Sequence, residues 1–497
     1  MEKRLILAIV FSSLVLLAWS ALAPKPEQRP LIIPPAAISS APAQPVKAVS
    51  DGETDEPGPL VDFSAGKFNL VFDENRAAIK EVIFKDYQSY KFSLAEGLAS
   101  GKGFKKSSTS PESIVFSRTD SDKIIIKRFI FSNYNYSIEL EIEVKNLSSA
   151  PLKFSFPLYL GAIDFAGDPA KVRNFDFTVY AQDKLIHPNP HKEMSYNILK
   201  FIGLRDRYFC IITAPASPEY SAFVTKQNNK TSAIGLNSAE FTVLPGQIVQ
   251  QKFQVYLGPQ ETKLISQINP EWSGIVHFGT FDIISQILLK LLEIFYSLVH
   301  NWGLAIVILS VAVYFILYPL SIKQMRSMKE MQALQPRIEE LRKVYKDNPQ
   351  RLNKEIMELY REHKVNPLGG CLPLLLQMPI FFALYQALLR SVSLKGSGFL
   401  WIKDLSEPDK LFVLPTSLPI LGNEINLLPI LMMIGMFLQQ KLTTSASAAG
   451  NSEQQKIMLI VFPLMFGFIF YHMPSGLVLY WFINSALMLL FQFKMSR

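Results

Sequence analysis

Trp302-Gly-Leu-Ala-Ile-Val-Ile-Leu-Ser-Val-Ala-Val-Tyr-Phe-Ile-Leu-Tyr-Pro-Leu320 is uncharged from end to end, and the charge pattern on its C-terminal side decides the fold. A densely charged block fills 323–364, and a second uncharged run fills 367–389. Each apolar run is long enough to cross a bilayer as a helix, which takes ~20 residues. The charged block cannot enter hydrocarbon, so both runs must open onto the same side. The pattern predicts two membrane helices joined by a charged helical hairpin over 321–365.

Within the hairpin the first arm runs over 322–346 with a kink at Pro336, Asp347-Asn-Pro349 turns the chain, and 350–364 returns it. Lys323, Arg326, Lys329, Arg337, Arg342, Lys343, Lys346, Arg351, Lys354, Arg361 and Lys364 outnumber Glu330, Glu339, Glu340, Asp347, Glu355, Glu358 and Glu362. That basic excess marks the cytoplasmic side. Mixed charge at helical spacing is equally what a solvated face looks like.

Toward the C-terminus, 390–426 reads as an outer loop with Trp401 suited to the interface. Residues 427–440 form a short span and 443–455 a small polar inner loop. Residues 457–493 hold no Asp, Glu, Lys or Arg, and one helix of that length would overshoot the bilayer. Pro474-Ser-Gly476 splits the run into two spans, and Lys494 and Arg497 end the chain inside.

Toward the N-terminus, 281–298 is apolar on most sides but interrupted by Asp282, Lys290 and Glu293, so 271–300 is placed in the outer interface as an amphipathic helix. Over 61–270 the pattern switches to period two. Phe68-Asn-Leu-Val-Phe72, Lys123-Ile-Ile-Ile-Lys-Arg-Phe-Ile-Phe131, the alternating run over 134–144, Phe175-Asp-Phe-Thr-Val-Tyr180, Tyr220-Ser-Ala-Phe-Val224 and the run over 249–256 read as strands. Many strands with no helical runs between them predict an all-β antiparallel sandwich. His187-Pro-Asn-Pro-His191 sets two histidines four apart, but the prolines forbid a shared helical face, which favours a surface loop over a metal site. Residues 24–60 are rich in Pro, Ala and Ser, a tether that buries too little to order itself. Residues 1–23 carry Lys3 and Arg4 before an apolar run. This is a signal peptide or a membrane anchor; Ser20-Ala-Leu-Ala23 resembles a cleavage site, and an uncleaved anchor with Met1 in the cytoplasm is expected. The fold class expected is thus mixed: six spans, five of them over 301–497, with an inserted all-β domain.

Composition agrees. The chain has 497 residues, 49% of them hydrophobic, and a mean hydropathy of +0.18, too apolar for an ordinary soluble protein and too polar for one wholly in lipid. The net charge of +8 falls largely in the hairpin and at the chain ends, which fits anionic lipid and topology rather than direct nucleic-acid recognition. Cys210 and Cys371 lie in different segments, with no metal-type spacing. No clustered carboxylate and histidine pair suggests an enzyme, and nothing calls for a cofactor.

The predicted spans two to six contain no Asp, Glu, Lys or Arg, which counts against ion-coupled transport. They carry neutral polar residues instead. Ser310, Tyr314 and Tyr318 recur every fourth residue; Gln377 and Tyr385 share a face with Gln386 beside it; Gln439 and Gln440 sit at the inner end of span four. Tyr480 with Asn484, and Trp481 with Ser485, are i,i+4 pairs. Hydrogen bonding inside a helix bundle is one reading of these faces, and a wet groove is the other.

Asn366-Pro-Leu-Gly-Gly-Cys-Leu-Pro373 running into Gln377-Met-Pro-Ile-Phe381 resembles the YidC family of membrane protein insertases. So do Tyr318-Pro-Leu320, Leu334-Gln-Pro336, Gln454-Gln-Lys-Ile-Met458, Pro474-Ser-Gly-Leu-Val-Leu-Tyr480 and, at the end of the β domain, Phe253-Gln-Val-Tyr-Leu-Gly-Pro259. The long first domain resembles the Gram-negative form, with a periplasmic β domain and an inner-membrane location. The resemblance implies five core helices around a groove open to the cytoplasm and to lipid. It implies an insertase and chaperone that inserts and helps fold nascent membrane proteins, alone or with the Sec translocon, with the ribosome, signal recognition components and membrane lipids as further partners. Ser310, Tyr314, Tyr318, Gln377, Gln386, Trp481, Asn484 and Ser485 would face the groove; Lys323, Arg326, Lys329, Arg337, Arg342 and Lys343 of the hairpin would receive substrate. Two departures stand out. Tyr314 takes the place of the arginine usual in the family, and Trp481 the place of a tyrosine. A channel or transporter, and a periplasmic sugar-binding module on an anchor, are the alternatives.

Overall fold

The computed structural model describes residues 58–497 apart from 88–89, 167–173, 217–218, 228–229, 347, 364, 366–371, 419–421, 446–452 and 497. The predicted anchor, nearly all of the tether, Cys371 and the 366–371 part of the glycine-containing motif lie outside the described residues.

Among the described residues from Leu60–Ala65 to Ile248–Pro259 the chain is built of antiparallel strands, with a 3-10 turn at Lys85–Tyr87. One layer is a nine-stranded sheet. Its spatial order is Lys184–Ile186, Asp176–Ala181, Leu199–Arg205, Phe209–Pro215, Ile248–Pro259, Ser137–Asn146, Lys123–Phe131, Ser113–Thr119 and Lys105–Thr109. The other layer joins two four-stranded sheets through an Ala99–Tyr159 bridge. The register is set by alternation: Ile125, Phe129 and Phe131 face Val144, Leu140 and Ile138 across the strand pair, and all six are buried. Phe84 of one layer stacks on Phe209 of the other at 4.4 Å between ring centres, and a Cβ on Gly161 would lie 2.5 Å from Leu204 Cδ2, so the layers meet tightly enough to require glycine there.

One position breaks the apolar alternation. Lys127 is fully buried, its ammonium donating to the Leu98 carbonyl. Burial pulls its pKa down to about 7, because a charged ammonium gains little solvation there.

Three central strands, Ser113–Thr119, Leu199–Arg205 and Phe209–Pro215, lie where the sequence pattern does not mark a strand. Phe209-Cys-Ile-Ile-Thr213 is a continuous buried run without alternation, because it is covered on both faces. The 3-10 segment Pro270–Ile275 lies over Leu199–Arg205, the strand paired with that run: Trp272 and Ile275 are buried, and a Cβ on Gly203 would lie 2.4 Å from Ile275 Cδ1.

The rest is helical: α1 (Thr262–Ile268), α2 (Asp282–Val299), α3 (Trp302–Ala333), α4 (Gln335–Val344), α5 (Pro349–Glu362), α6 (Leu372–Arg390), α7 (Leu427–Ser445), α8 (Glu453–Tyr471) and α9 (Ser475–Ser496). Among the described residues, Trp302–Lys323 and Ser475–Phe493 are long and apolar enough to cross a membrane; Leu427–Lys441 and Ile460–Tyr471 are apolar but shorter. Phe315 and Ile316 on α3, Ile434 and Leu438 on α7, Ile460, Leu464 and Phe468 on α8, and Leu490 and Phe493 on α9 are exposed. An apolar belt of that extent is lipid-facing rather than water-facing.

Helix α2 divides its circumference three ways. Ser285, Leu288 and Leu292 are buried, and the Ser285 hydroxyl donates to the Ala383 carbonyl of α6 at 2.9 Å. Ile283, Ile287, Ile294 and Leu298 form an exposed apolar strip, while Gln286, Lys290 and Glu293 form an exposed polar one. A helix along an interface needs one strip for the protein, one for lipid and one for water.

Helix α3 has 32 residues, ~48 Å at 1.5 Å per residue, against a hydrocarbon core of ~30 Å. Its last turns therefore leave the apolar region and become the first part of the hairpin. The helix breaks at Leu334, with Pro336 in the first turn of α4. Asn348 caps α5 by accepting from the Arg351 amide at 3.1 Å. Leu334, Ile338, Leu359 and Val365 give the hairpin its own small core. The 390–426 segment, expected to be a loop, contains a β-hairpin of Phe412–Leu418 and Gly422–Ile425.

Candidate substrate groove

A cavity of about 230 Å³ opens among the helices in the half nearer the charged hairpin. Tyr314, Leu317, Leu320 and Ser321 of α3, Gln377 of α6, and Met436, Gln439 and Gln440 of α7 line it. Phe462 of α8 and Trp481, Asn484, Ser485 and Met488 of α9 complete it. Tyr314, Ser321, three glutamines, Asn484 and Ser485 supply hydrogen-bonding groups, and among the described residues no lining residue is Asp, Glu, Lys or Arg. Such a wall can hold water, which needs two to four polar partners per molecule, without fixing a charge.

The polar groups differ in how they are engaged. Gln377 Nε2 donates to the Tyr480 hydroxyl at 2.7 Å, tying α6 to α9, and Asn484 Nδ2 donates to the Tyr480 carbonyl at 2.9 Å. The Tyr314 hydroxyl is buried and has no protein hydrogen-bond partner among the described residues, an orphaned polar group that a water or guest admitted to the cavity would satisfy.

Tyr314, Gln377, Trp481, Asn484 and Ser485 are thus brought together. Ser310, Tyr318 and Gln386 are not among the lining residues. Ser310 is fully buried one turn nearer the β domain, with its hydroxyl donating to the Ile306 carbonyl at 2.8 Å. Tyr318 packs edge-on against Phe491, with ring centres 5.0 Å apart. Gln386 is half-buried, more than two turns along α6 from Gln377. Lining residues outside the predicted set are Leu317, Leu320, Ser321, Met436, Gln439, Gln440, Phe462 and Met488. Of these, the glutamine pair had a sequence signal in its polarity at a span end; which apolar residues line the cavity depends on helix rotation. Lys323, Arg326, Lys329, Arg337, Arg342 and Lys343 are all exposed on the hairpin, and Arg337 Nη1 lies 3.1 Å from His363 Nε2.

At the other end, loops are bonded across the helix ends. The turn between α8 and α9 is bonded to the loop after α6. The Ser475 amide donates to Glu407 O at 2.7 Å, the Ser475 hydroxyl to Asp404 O at 3.0 Å, and the Gly476 amide to Leu405 O at 2.9 Å. Leu394, Ile402 and Leu405 are buried beneath. Asn426 joins the two sides, donating to Tyr471 O at 2.8 Å and accepting from the Lys410 amide at 2.9 Å. A side chain at Gly303 would occupy the Phe399 ring, so the loop sits directly on the start of α3.

A second polar cluster lies where the β domain meets the helices. Asp176, His187 and His277 bring one ligand atom each within 4.8 Å of one another. Arg205 Nη2, on a buried side chain, is already there: 3.1 Å from Asp176 Oδ2 and 2.6 Å from His277 Nε2. The guanidinium supplies the positive charge that a metal ion would bring. Burial pushes the Asp176 carboxyl up, but the His277 hydrogen bond and the Arg205 charge outweigh it and hold it at about 2. The His187–His191 pair does not come together; His191 packs on Phe165 instead.

Residues 294–497 match the family described as 60Kd inner membrane protein, and residues 98–291 match the YidC periplasmic domain. The membrane protein insertase YidC of Pelobacter propionicus is 32% identical over 98% of this chain and 97% of its own. That of Geotalea uraniireducens is 31% identical with the same coverage. A solved structure of an active YidC insertase with its first transmembrane domain resolved covers 87% of this chain and 94% of its own, at 19% identity and a TM-score of 0.41. With near-complete matches to insertases at more than 30% identity, the chain belongs to the YidC family of membrane protein insertases, in the form that carries a periplasmic domain.

Proposed function

We propose that this protein inserts nascent segments into the bacterial inner membrane by receiving their polar parts in the cavity between α3, α6, α7, α8 and α9. The observation that carries this reading is a neutral, hydrogen-bonding cavity confined to the hairpin-side half of an apolar bundle whose helix ends are bonded across by loops at the other end.

The physical gain is a shorter dry path. A charged residue at the centre of a helix in the membrane costs ~2.5–3.5 kcal/mol on insertion scales. A wet cavity occupying the inner half leaves roughly half of the ~30 Å core to be crossed dry. The substrate's apolar part gains by leaving the polar groove for lipid, past the exposed apolar faces of α3 and α8. The chemistry is non-covalent: hydration and shape, with no cofactor.

In this reading the chain has six spans with both termini in the cytoplasm, and the α4–α5 hairpin lies at the cytoplasmic mouth. Its exposed Lys323, Arg326, Lys329, Arg337, Arg342 and Lys343 are suited to anionic surfaces, among them lipid headgroups, acidic substrate segments and the ribosome. Cooperation with the Sec translocon and signal recognition components belongs to the same reading. A channel would need a continuous polar path, and the bonded loops at 404–407 and 474–476 work against one.

Purified protein in liposomes is expected to insert a short single-span substrate so that its polar tail becomes protected from added protease. Flux of small solutes with no gain in protected tail would reject the insertase reading in favour of a channel.

A further inference from the structure

We propose that Arg207 of the periplasmic domain is a positioning residue that holds the periplasmic end of the groove shut, so that the domain acts as a clamp on the insertase core. The proposal deepens the insertase reading and rests on it for its functional meaning.

Arg207 sits in the turn between strands Leu199–Arg205 and Phe209–Pro215. Its side chain reaches from the β domain to the helices. Nε donates to the Leu389 carbonyl at 2.8 Å, and Nη2 donates to the Ser406 carbonyl at 2.9 Å. The first acceptor belongs to the last turn of α6, where helix carbonyls lack intrahelical partners and carry the negative end of the helix dipole. The second lies inside the 404–407 loop, whose neighbouring carbonyls accept from Ser475 and Gly476 at the start of α9. One guanidinium therefore bridges the end of α6 to the loop that closes over α9. A planar fork with several fixed donors is preorganised for this, whereas an ammonium on a flexible stem is not.

The turn is built to aim that side chain. Asp206 is buried, accepts from the Tyr208 and Phe209 amides at 2.7 Å each, and accepts from the Tyr90 hydroxyl at 2.6 Å, which fixes the turn to the sandwich. The Arg207 guanidinium lies over the Tyr208 ring at 4.7 Å. Arg205 anchors the same turn to the segment before α2 by donating to the His277 carbonyl at 2.9 Å. Three consecutive residues thus grip that segment, the domain and the core.

The test reads the seal directly. Ser406 is 1% exposed, so a thiol in Ser406→Cys reacts only when the loop opens. The full chain is placed in right-side-out vesicles with an impermeant maleimide outside. Arg207→Gln is expected to label Cys at 406 at least about tenfold faster than the parent, the factor corresponding to ~1.4 kcal/mol of lost closure. Arg207→Lys, which keeps the charge, is expected to be intermediate and covers the case in which glutamine disturbs folding. Cys210, buried in the next strand, is the internal control: it must stay protected, because general loosening of the domain would expose it too. Equal labelling of position 406 in all three proteins, or labelling that rises together with Cys210, would overturn the clamp. Insertion by the parent chain in the same vesicles is scored separately. Its absence would remove the insertase reading while leaving the labelling result intact.

Discussion

Tyr314 lines the cavity whereas Tyr480 is buried in the helix packing, and their hydroxyls are engaged differently. The Tyr314 hydroxyl bonds to no protein atom among the described residues, whereas the Tyr480 hydroxyl accepts from Gln377 Nε2 at 2.7 Å. Tyr314→Phe therefore removes no internal hydrogen bond, and stability is expected to change by less than ~0.5 kcal/mol. It does remove a polar group that would hold water or a substrate amide. One such bond is worth about 0.5–1.5 kcal/mol, a roughly 2- to 12-fold slower insertion if it is made in the transition state. Tyr480→Phe removes the hydroxyl that accepts from Gln377 Nε2 between α6 and α9, a loss of about 0.5–1.5 kcal/mol in stability. The assay pairs the rate at which a polar tail becomes protease-protected in reconstituted vesicles with thermal unfolding in detergent. If Tyr314→Phe left insertion untouched and lowered stability as much as Tyr480→Phe, the assignment of the free hydroxyl to the groove would be wrong.

Two further outcomes are expected. Lys127, with a pKa of about 7 when folded against 10.5 when solvated, binds fewer protons in the folded than in the unfolded chain between those values, so the stability of the periplasmic domain should rise with pH across that window, by roughly 2 kcal/mol from pH 7 to 9. Lys127→Met should abolish that pH dependence and be at least as stable at pH 7; thermal scans at the two pH values decide it. Deleting 325–360 removes the hairpin and its separate small core, so insertion should fall while the helices around Leu309, Leu384 and Met432 stay folded, as judged by helix content and resistance to protease.

The parts of the fold legible in the sequence are those where charge or alternation leaves one physical solution. The charged hairpin between two uncharged runs, the arms meeting at Asn348, and the amphipathic α2 follow from the different demands of hydrocarbon and water. Lys123–Phe131 coincides with its alternating run. Buried central strands such as Phe209–Pro215 lack that signal, because covering both faces erases the period. In the groove, residue type points to Tyr314, Gln377, Trp481, Asn484 and Ser485. Spacing also groups Ser310 with Tyr314, but four residues advance a helix by about 400°, and the drift combined with greater depth turns Ser310 into the packed core. Met436, Phe462 and Met488 depend on helix rotation, which sequence periodicity in an all-apolar helix does not report. The pairing of His187 with His277, far apart in the chain, and the reach of Arg207 to Leu389 are products of tertiary packing with no local trace.

Photo-crosslinking a stalled nascent chain to probes placed singly at Tyr314, Trp481 and Ser485 tests the central claim most directly. Exposed Phe315, one residue from Tyr314 and facing outward on α3, serves as the comparison site. If the cavity receives the substrate's polar tail, the three cavity probes should capture that tail, and Phe315 should capture only the apolar segment or lipid. Crosslinks to the tail confined to Phe315, with none at the three cavity positions, would contradict the account.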